Sequence, residues 1–309
     1  MNLEGDRNTA FFHALINKNR IKNHIHRMVD SHGNIFDTEE LITSSVVDFF
    51  KDIFNCTKVT SLIVNANVIP KLVGDDDNVM LTQPPSEDEI WNIIKEMNGD
   101  SVAGPDGFTT KFFIHAWEVI KNDVVNVIHD FFKGNAYPEF FASTNIVLIS
   151  KKDNPTYWND FRPISLCTFF NKLVAKIIAI RLSLILSRII SINQTGFVKG
   201  RSIFDNILLA QEVVHDLNVK GNDGNIIFKL DITKAYDNLK WNYLYKILHL
   251  FGFNQNFIKL IKNSIETCFF LLSLMVRIMV FFLPSMGWAR GSFIAFSIYY
   301  CYGISVQRY

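Results

Sequence analysis

The chain has 309 residues, 49% of them hydrophobic and 20% charged, with 31 Lys and Arg against 30 Asp and Glu for a formal net charge of +1. A mean hydropathy of +0.14 excludes a disordered or low-complexity chain, and the length allows one large domain or two ordinary ones with a sizeable core. Four cysteines (Cys56, Cys167, Cys268 and Cys301) with no C-x-x-C spacing make neither a disulfide framework nor a zinc knuckle, so a reducing, intracellular compartment is expected, nucleus or cytoplasm.

The first residues lack the basic and apolar regions of a secretory signal, so none is expected. Residues 1–30 carry Arg7, Lys18, Arg20, Lys22 and Arg27 and read as a basic, mostly helical lead-in. A turn at Ser31-His-Gly-Asn34 precedes an amphipathic helix near 37–54. A weakly patterned stretch follows to about 80, in which Gly74-Asp-Asp-Asp-Asn78 reads as a loop because clustered acids repel and turn residues dominate. Ser86-Glu-Asp-Glu89 is a capping box: the hydroxyl accepts from the third helical N–H while Glu89 reaches back. Ile90, Ile93, Ile94 and Met97 repeat at helical spacing before Gly99 closes the helix.

Ala103-Gly-Pro-Asp-Gly-Phe108 is a rigid turn, and a second helix runs from about Lys111 to Phe132, ended by Gly134. The β-branched run Asn145–Ser150 predicts a strand. Phe169–Ile190 predicts a long helix, apolar on nearly every side and therefore largely buried, punctuated by Lys172, Lys176, Arg181 and Arg188. After a Gly-bracketed loop at Gln194–Arg201 come a helix from about 202 to 217, a strand at Asn225–Asp231, and helices near 240–250 and 255–267. Few strands separated by many helices indicate a mixed α/β or α+β class in which helix dominates.

The neutral total conceals a charge separation. Lys71–Asp130 holds twelve acids against four Lys, a balance of −8; Lys151–Arg201 holds nine Lys and Arg against Asp153 and Asp160, a balance of +7. The basic block suits a nucleic-acid partner, because phosphate binding follows local charge; a solvated face gives the same composition.

Asp231 ends an apolar strand, where a carboxylate faces the edge at which ligands bind; a strand-end Asp also caps a following helix. The surrounding Asn225-Ile-Ile-Phe-Lys-Leu-Asp-Ile-Thr-Lys-Ala-Tyr-Asp-Asn-Leu-Lys-Trp241 resembles the first-aspartate motif of reverse transcriptases of LINE-type (non-LTR) retrotransposons, of the kind abundant in plants. Four further blocks resemble the same family in its order. Gly5–His13 is similar to its connector upstream of the polymerase, and Ala103–Phe108 to its first polymerase block. Asp160-Phe-Arg-Pro-Ile-Ser-Leu166 with Asn171–Lys176 is similar to its fingers block, and Asn193–Ser202 to the block that follows.

The resemblance implies an α+β right-hand polymerase, with a connector over 1–80, helix-rich fingers over 81–223 and a partial palm from 224 to 268. It implies that Asp231 and the carbonyl of Ile232 bind catalytic Mg²⁺, which prefers oxygen ligands. Tyr236 would exclude a ribose 2′-hydroxyl and so select deoxynucleotides. Arg162 would bind the incoming triphosphate bidentately, with Lys151 and Lys152 assisting, although solvated loop lysines fit those two positions as well. Gln194, Gly196 and Phe197 would lie near the template. The implied partners are an RNA template, a DNA primer and deoxynucleotides. A nucleic-acid-binding remnant without catalysis, or a decayed reading frame without stable protein, would carry the same motifs.

Past Phe269 the family pattern is expected to break. No Asp or Glu follows Glu266, so the paired aspartates of the family's Tyr-x-Asp-Asp hairpin are missing. Residues Arg290–Tyr309 can be encoded so that reading one base later spells Gly-Asp-Pro-Leu-Ser-Pro, the family's next block; 269–309 is therefore expected to be a frameshifted, poorly ordered tail. Cys268–Leu283 is apolar but short, with Arg277 at its middle. A span needs ~20 apolar residues and a central Arg costs roughly 2.5–3.5 kcal/mol, so no membrane segment is expected.

Overall fold

A computed structural model of the chain describes residues 10–22, 24–54, 69–136, 138–195, 198, 200–215, 241–268, 270–274 and 277–282. In chain order the elements are α1 (Ala10–Lys22), β1 (Met28–Val29), β2 (Ile35–Phe36), α2 (Glu39–Phe54), α3 (Asp75–Thr82), α4 (Glu87–Glu96), α5 (Thr110–Phe132), α6 (Glu139–Ala142), β3 (Thr144–Ser150) and β4 (Phe161–Cys167). They continue with α7 (Phe169–Ile189), α8 (Ile203–His215), α9 (Trp241–Phe251), α10 (Gln255–Glu266), β5 (Phe270–Leu274) and β6 (Arg277–Phe282). Mixed helices and sheets make this an α+β fold.

The helices α3, α4, α5, α9 and α10 gather around α7. Leu173, Ile177, Ile178, Leu182 and Ile185 are buried along α7, against Ile90, Ile93 and Ile94 of α4, Trp117 and Ile128 of α5, and Phe257 and Ile261 of α10. The apolar stripe of α4 thus faces the core, as its spacing predicts. Aromatic rings carry much of this packing: Phe113 and Phe169 stack with centroids 3.5 Å apart, and Trp91 and Trp117 at 4.8 Å.

A four-stranded sheet in the order β4-β3-β5-β6 flanks the helices. β3 pairs antiparallel with β4, from Thr144 against Cys167 to Ser150 against Phe161, and parallel with β5, Ile146 opposite Leu272. Ile146, Phe161, Phe270 and Leu272 turn one face of the sheet toward Met28 and the α2 residues Ile42, Val46, Val47 and Phe50, forming a second core. The stretch expected as a connector therefore holds, in residues 28–50, one wall of the sheet's own core.

Several expectations are corrected. Gly74–Asn78 is not a loop: Gly74 is the N-cap of α3 and Asp75, Asp76 and Asp77 occupy its first turn, where the helix dipole favours negative charge. Asp77 accepts from the Gly74 N–H at 3.1 Å and pairs with Arg188 at 2.5 Å, which removes the expected mutual repulsion. The capping box at Ser86 is half formed. The hydroxyl accepts from the Glu89 N–H at 3.1 Å, but the Glu89 carboxylate goes to Arg181. Helix α4 ends at Glu96, short of Gly99, whereas Gly134 follows α5 with a positive φ of 91° as expected. β4 falls where the sequence predicted no strand; it contains Pro163, which an edge strand tolerates. Phe270–Leu274 and Arg277–Phe282, inside the stretch expected to be poorly ordered, are strands. Among the described residues no helix is long and apolar enough to cross a membrane. The strand expected at Asn225–Asp231 lies outside the described residues.

Candidate functional site

The β3–β4 hairpin presents the first group of expected site residues. Side chains alternate faces along a strand, so Phe161 points into the core, 6% exposed, and Arg162 points out, opposite Ile149 across the ladder. Ile149 and Ile164 are exposed on the same face, which leaves an apolar surface with a guanidinium near its tip. No described residue pairs with the Arg162 side chain.

The connecting loop is tied at both ends. Lys151 donates its backbone N–H to the Asp160 carbonyl at 2.7 Å and its Nζ to the Asn159 carbonyl at 2.6 Å. Lys152 Nζ lies 2.9 Å from Asp160 Oδ2, and the same oxygen accepts from the backbone N–H groups of Thr156 at 3.0 Å and Tyr157 at 2.9 Å. Desolvation pushes the Asp160 carboxyl upward, but the Tyr157 N–H, the Lys152 ammonium and the Thr156 N–H outweigh it and hold its pKa at about 2. Trp158 is buried in the second core and donates its Nε1–H to Ser45 Oγ at 3.3 Å; the Val29 N–H reaches the Thr156 carbonyl at 2.9 Å. The N-terminal segment therefore braces the loop from below.

The Ala103–Phe108 turn docks at the junction of β4 and α7. A Cβ on Gly104 would collide with the Cys167 carbonyl and the Thr168 backbone nitrogen, so only glycine permits this approach. Asp106 Oδ2 accepts from the Phe169 N–H at 3.3 Å, in the first turn of α7, whose N-cap Thr168 accepts from Asn171 N–H at 3.4 Å. Gly107 takes a positive φ of 74° and Lys172 Nζ donates to the Val102 carbonyl at 2.8 Å.

Beyond α7, Gln194 is half-buried, and its carbonyl accepts from Arg201 Nη1 at 2.6 Å. Arg201 also binds the carbonyls of Ser187, Ile190 and Ser191 at 2.5–3.2 Å, satisfying carbonyls at the C-terminal end of α7. Gly196 and Phe197, expected beside Gln194, lie outside the described residues, as do Asp231, Ile232 and Tyr236.

Most of the basic block between Lys151 and Arg201 is spoken for by the fold. Lys151, Lys152, Lys172 and Arg201 are bound as described, Arg181 grips Glu89 and Arg188 pairs with Asp77. Lys199 lies outside the described residues, which leaves Arg162 and Lys176 exposed and without a described partner. The +7 balance is therefore a poor measure of charge available to phosphate. Sequence reasoning missed Asp160 and Arg201; the available signals were an acid closing a loop that opens with two lysines, and an arginine just past a helix end. Among the described residues no three His, Cys, Asp or Glu side chains gather to hold a metal; the expected Mg²⁺ ligands Asp231 and Ile232 are not among those residues.

Residues 149–283 match the family described as reverse transcriptase (RNA-dependent DNA polymerase). The chain is 27% identical over 260 residues to the transposon TX1 uncharacterized 149 kDa protein of Xenopus laevis, covering 84% of this chain and 20% of that protein. It is 28% identical over 192 residues to the retrovirus-related Pol polyprotein from type-2 retrotransposable element R2DM of Drosophila melanogaster, covering 59% of this chain and 17% of that protein. The chain thus carries a reverse transcriptase segment. That segment is of the LINE type, the reverse transcriptases of non-LTR retrotransposons. The chain spans about a fifth of the length of the curated relatives it matches. The family match runs through 283, beyond the point near 269 where the pattern was expected to break.

Proposed function

We propose that this chain supplies the fingers and the start of the palm of a right-hand RNA-directed DNA polymerase, and that the β3–β4 hairpin receives the triphosphate of an incoming deoxynucleotide. The carrying observation is Arg162: exposed on the sheet's outer face and without a described partner, next to Lys151 and Lys152, which the loop already holds. A planar guanidinium reads phosphate oxygens in pairs, where an ammonium is only a point charge. In this reading Tyr236 selects the deoxyribose, Asp231 and the Ile232 carbonyl are metal ligands, and Gln194, Gly196 and Phe197 lie along the RNA template. No acid follows Glu266, so the chain alone lacks the paired aspartates that would join Asp231. It would bind nucleotide without extending a primer. Of the stretch 269–309 expected as a frameshifted tail, Arg290–Tyr309 is the part whose possible codons carry the shifted reading.

The test is deoxynucleoside triphosphate binding by the purified chain, together with primer extension on an RNA template. Binding that weakens at least tenfold in Arg162→Ala, with no extension in Mg²⁺ or Mn²⁺, is the expected result. Binding indifferent to Arg162, or extension that disappears in Asp231→Ala, would overturn it. The rival reading, a non-catalytic RNA-binding remnant, requires affinity that falls steeply with salt. Each phosphate contact contributes a log–log slope of about −0.7 on single strands, and with only Arg162 and Lys176 free in the described part of the basic block, a shallow slope is expected.

A further inference from the structure

We propose that Asp160 is a positioning residue: its carboxylate locks the Lys151–Asp160 loop and thereby sets the direction in which Arg162 meets a triphosphate. This rests on the reading of Arg162 as the phosphate-binding group. A single oxygen, Oδ2, gathers the Thr156 N–H, the Tyr157 N–H and the Lys152 ammonium, all within 3.0 Å. The Asp160 backbone closes the same loop, its N–H donating to the Tyr157 carbonyl at 2.8 Å and its carbonyl accepting from Lys151. One residue on, the Phe161 ring packs against Trp158 with centroids 5.8 Å apart. With Phe161 pinned inward, Arg162 is turned outward by strand alternation.

The arrangement reassigns Lys152. Its ammonium is spent on Asp160, so its influence on a bound anion passes through the loop and not through a contact of its own. Bidentate recognition demands a guanidinium held within about 0.5 Å and 10–20° of the productive geometry, and a freed ten-residue loop would not hold it so.

The experiment measures the affinity of the full chain for inorganic triphosphate by calorimetry, without divalent cations so that the response belongs to side chains. Amide hydrogen exchange at Thr156 and Tyr157 is followed in parallel. Asp160→Asn should weaken binding roughly tenfold, speed exchange at those two amides, and leave the chain folded at the assay temperature. Lys152→Met should weaken binding in the same direction, and the double variant should bind no worse than Asp160→Asn alone. If Asp160→Asn does not fold, Lys152→Met read against wild type carries the test, with weaker binding and faster loop exchange expected together. Faster exchange with unchanged affinity would make Asp160 merely structural and overturn the proposal. Additive losses would overturn it too, by placing Lys152 on the phosphate. Arg162→Ala separates the levels: if it abolishes binding while Asp160→Asn does not, only this inference falls. If the wild type binds no triphosphate, or Arg162→Ala binds as wild type, the reading beneath falls with it.

Discussion

Arg181 grips Glu89 with a two-pronged fork, Nε to Oε1 and Nη2 to Oε2, each 2.8 Å, and its remaining nitrogen Nη1 reaches the Gln83 carbonyl at 2.5 Å. The arginine is 4% exposed and its guanidinium carbon sits 5.1 Å from the Phe132 ring centroid, whereas the Glu89 side chain is 32% exposed. This pair joins α4 to α7 across the main core.

The asymmetry of exposure predicts an asymmetry of cost. Removing one partner of a buried pair costs roughly 3–5 kcal/mol, mostly from the charge left behind. Glu89→Ala strands a buried guanidinium, while Arg181→Met leaves a carboxylate that water can reach. Urea unfolding should therefore give Glu89→Ala the larger loss, about 3 kcal/mol, and Arg181→Met the smaller.

Gly104 and Gly107 stand in the same turn but are glycine for different reasons. Gly104→Ala drives a methyl into the Cys167–Thr168 backbone, and such overpacking costs roughly 1–3 kcal/mol or more where backbone must move. At Gly107 nothing lies within 4 Å of an added Cβ, so Gly107→Ala bears only the positive-φ cost of about 1–2 kcal/mol. Thermal melts should rank Gly104→Ala as the more destabilised.

Asp160 gives the chain an acid-labile contact. Its pKa is lowered from 3.8 to about 2 on folding, so the stability it contributes is fully present above pH 4 and is lost as pH falls toward 2. The stability difference between wild type and Asp160→Asn should be constant from pH 5 to 7 and shrink below pH 4, as measured by denaturant titrations at each pH.

The two thiols at the foot of the sheet should be inert. Burial raises the pKa of Cys167, and burial with the neighbouring Cys167 pushes Cys268 up to about 12. Reaction goes through the thiolate, so iodoacetamide at pH 8 should leave both unlabelled in the native protein. Peptide mapping should show both labelled once urea unfolds the chain.

Local periodicity made much of the fold legible. Ile90, Ile93 and Ile94 mark the buried face of α4, the β-branched run ending at Ser150 marks β3, and Gly134 marks the end of α5. What was hidden depends on distant partners. The acids at Asp75–Asp77 look like a loop until the helix dipole and Arg188 are present, and Glu89 looks like a cap until Arg181 competes for it. Arg181 and Arg188 look like nucleic-acid charge for the same reason. β5 has no local signature for parallel pairing, because its partner is far away in sequence. At the site, Arg162 was legible only through resemblance, since a lone exposed arginine carries no pattern. Asp160 was hidden because its role is to bind backbone, which leaves no mark in composition.

Strand β3 has β4 as an early neighbour, but its other neighbour, β5, follows roughly 125 residues later. On a ribosome adding about 5–20 residues per second, one edge of β3 waits about 6 to 25 seconds for its partner. Until then its unpaired N–H and C=O groups are open to any other extended chain nearby. The nascent protein thus has an interval, set by the spacing of two strands, in which premature aggregation competes with completion of the sheet. Synonymous slow codons between 150 and 270 would lengthen that interval without altering a single side chain.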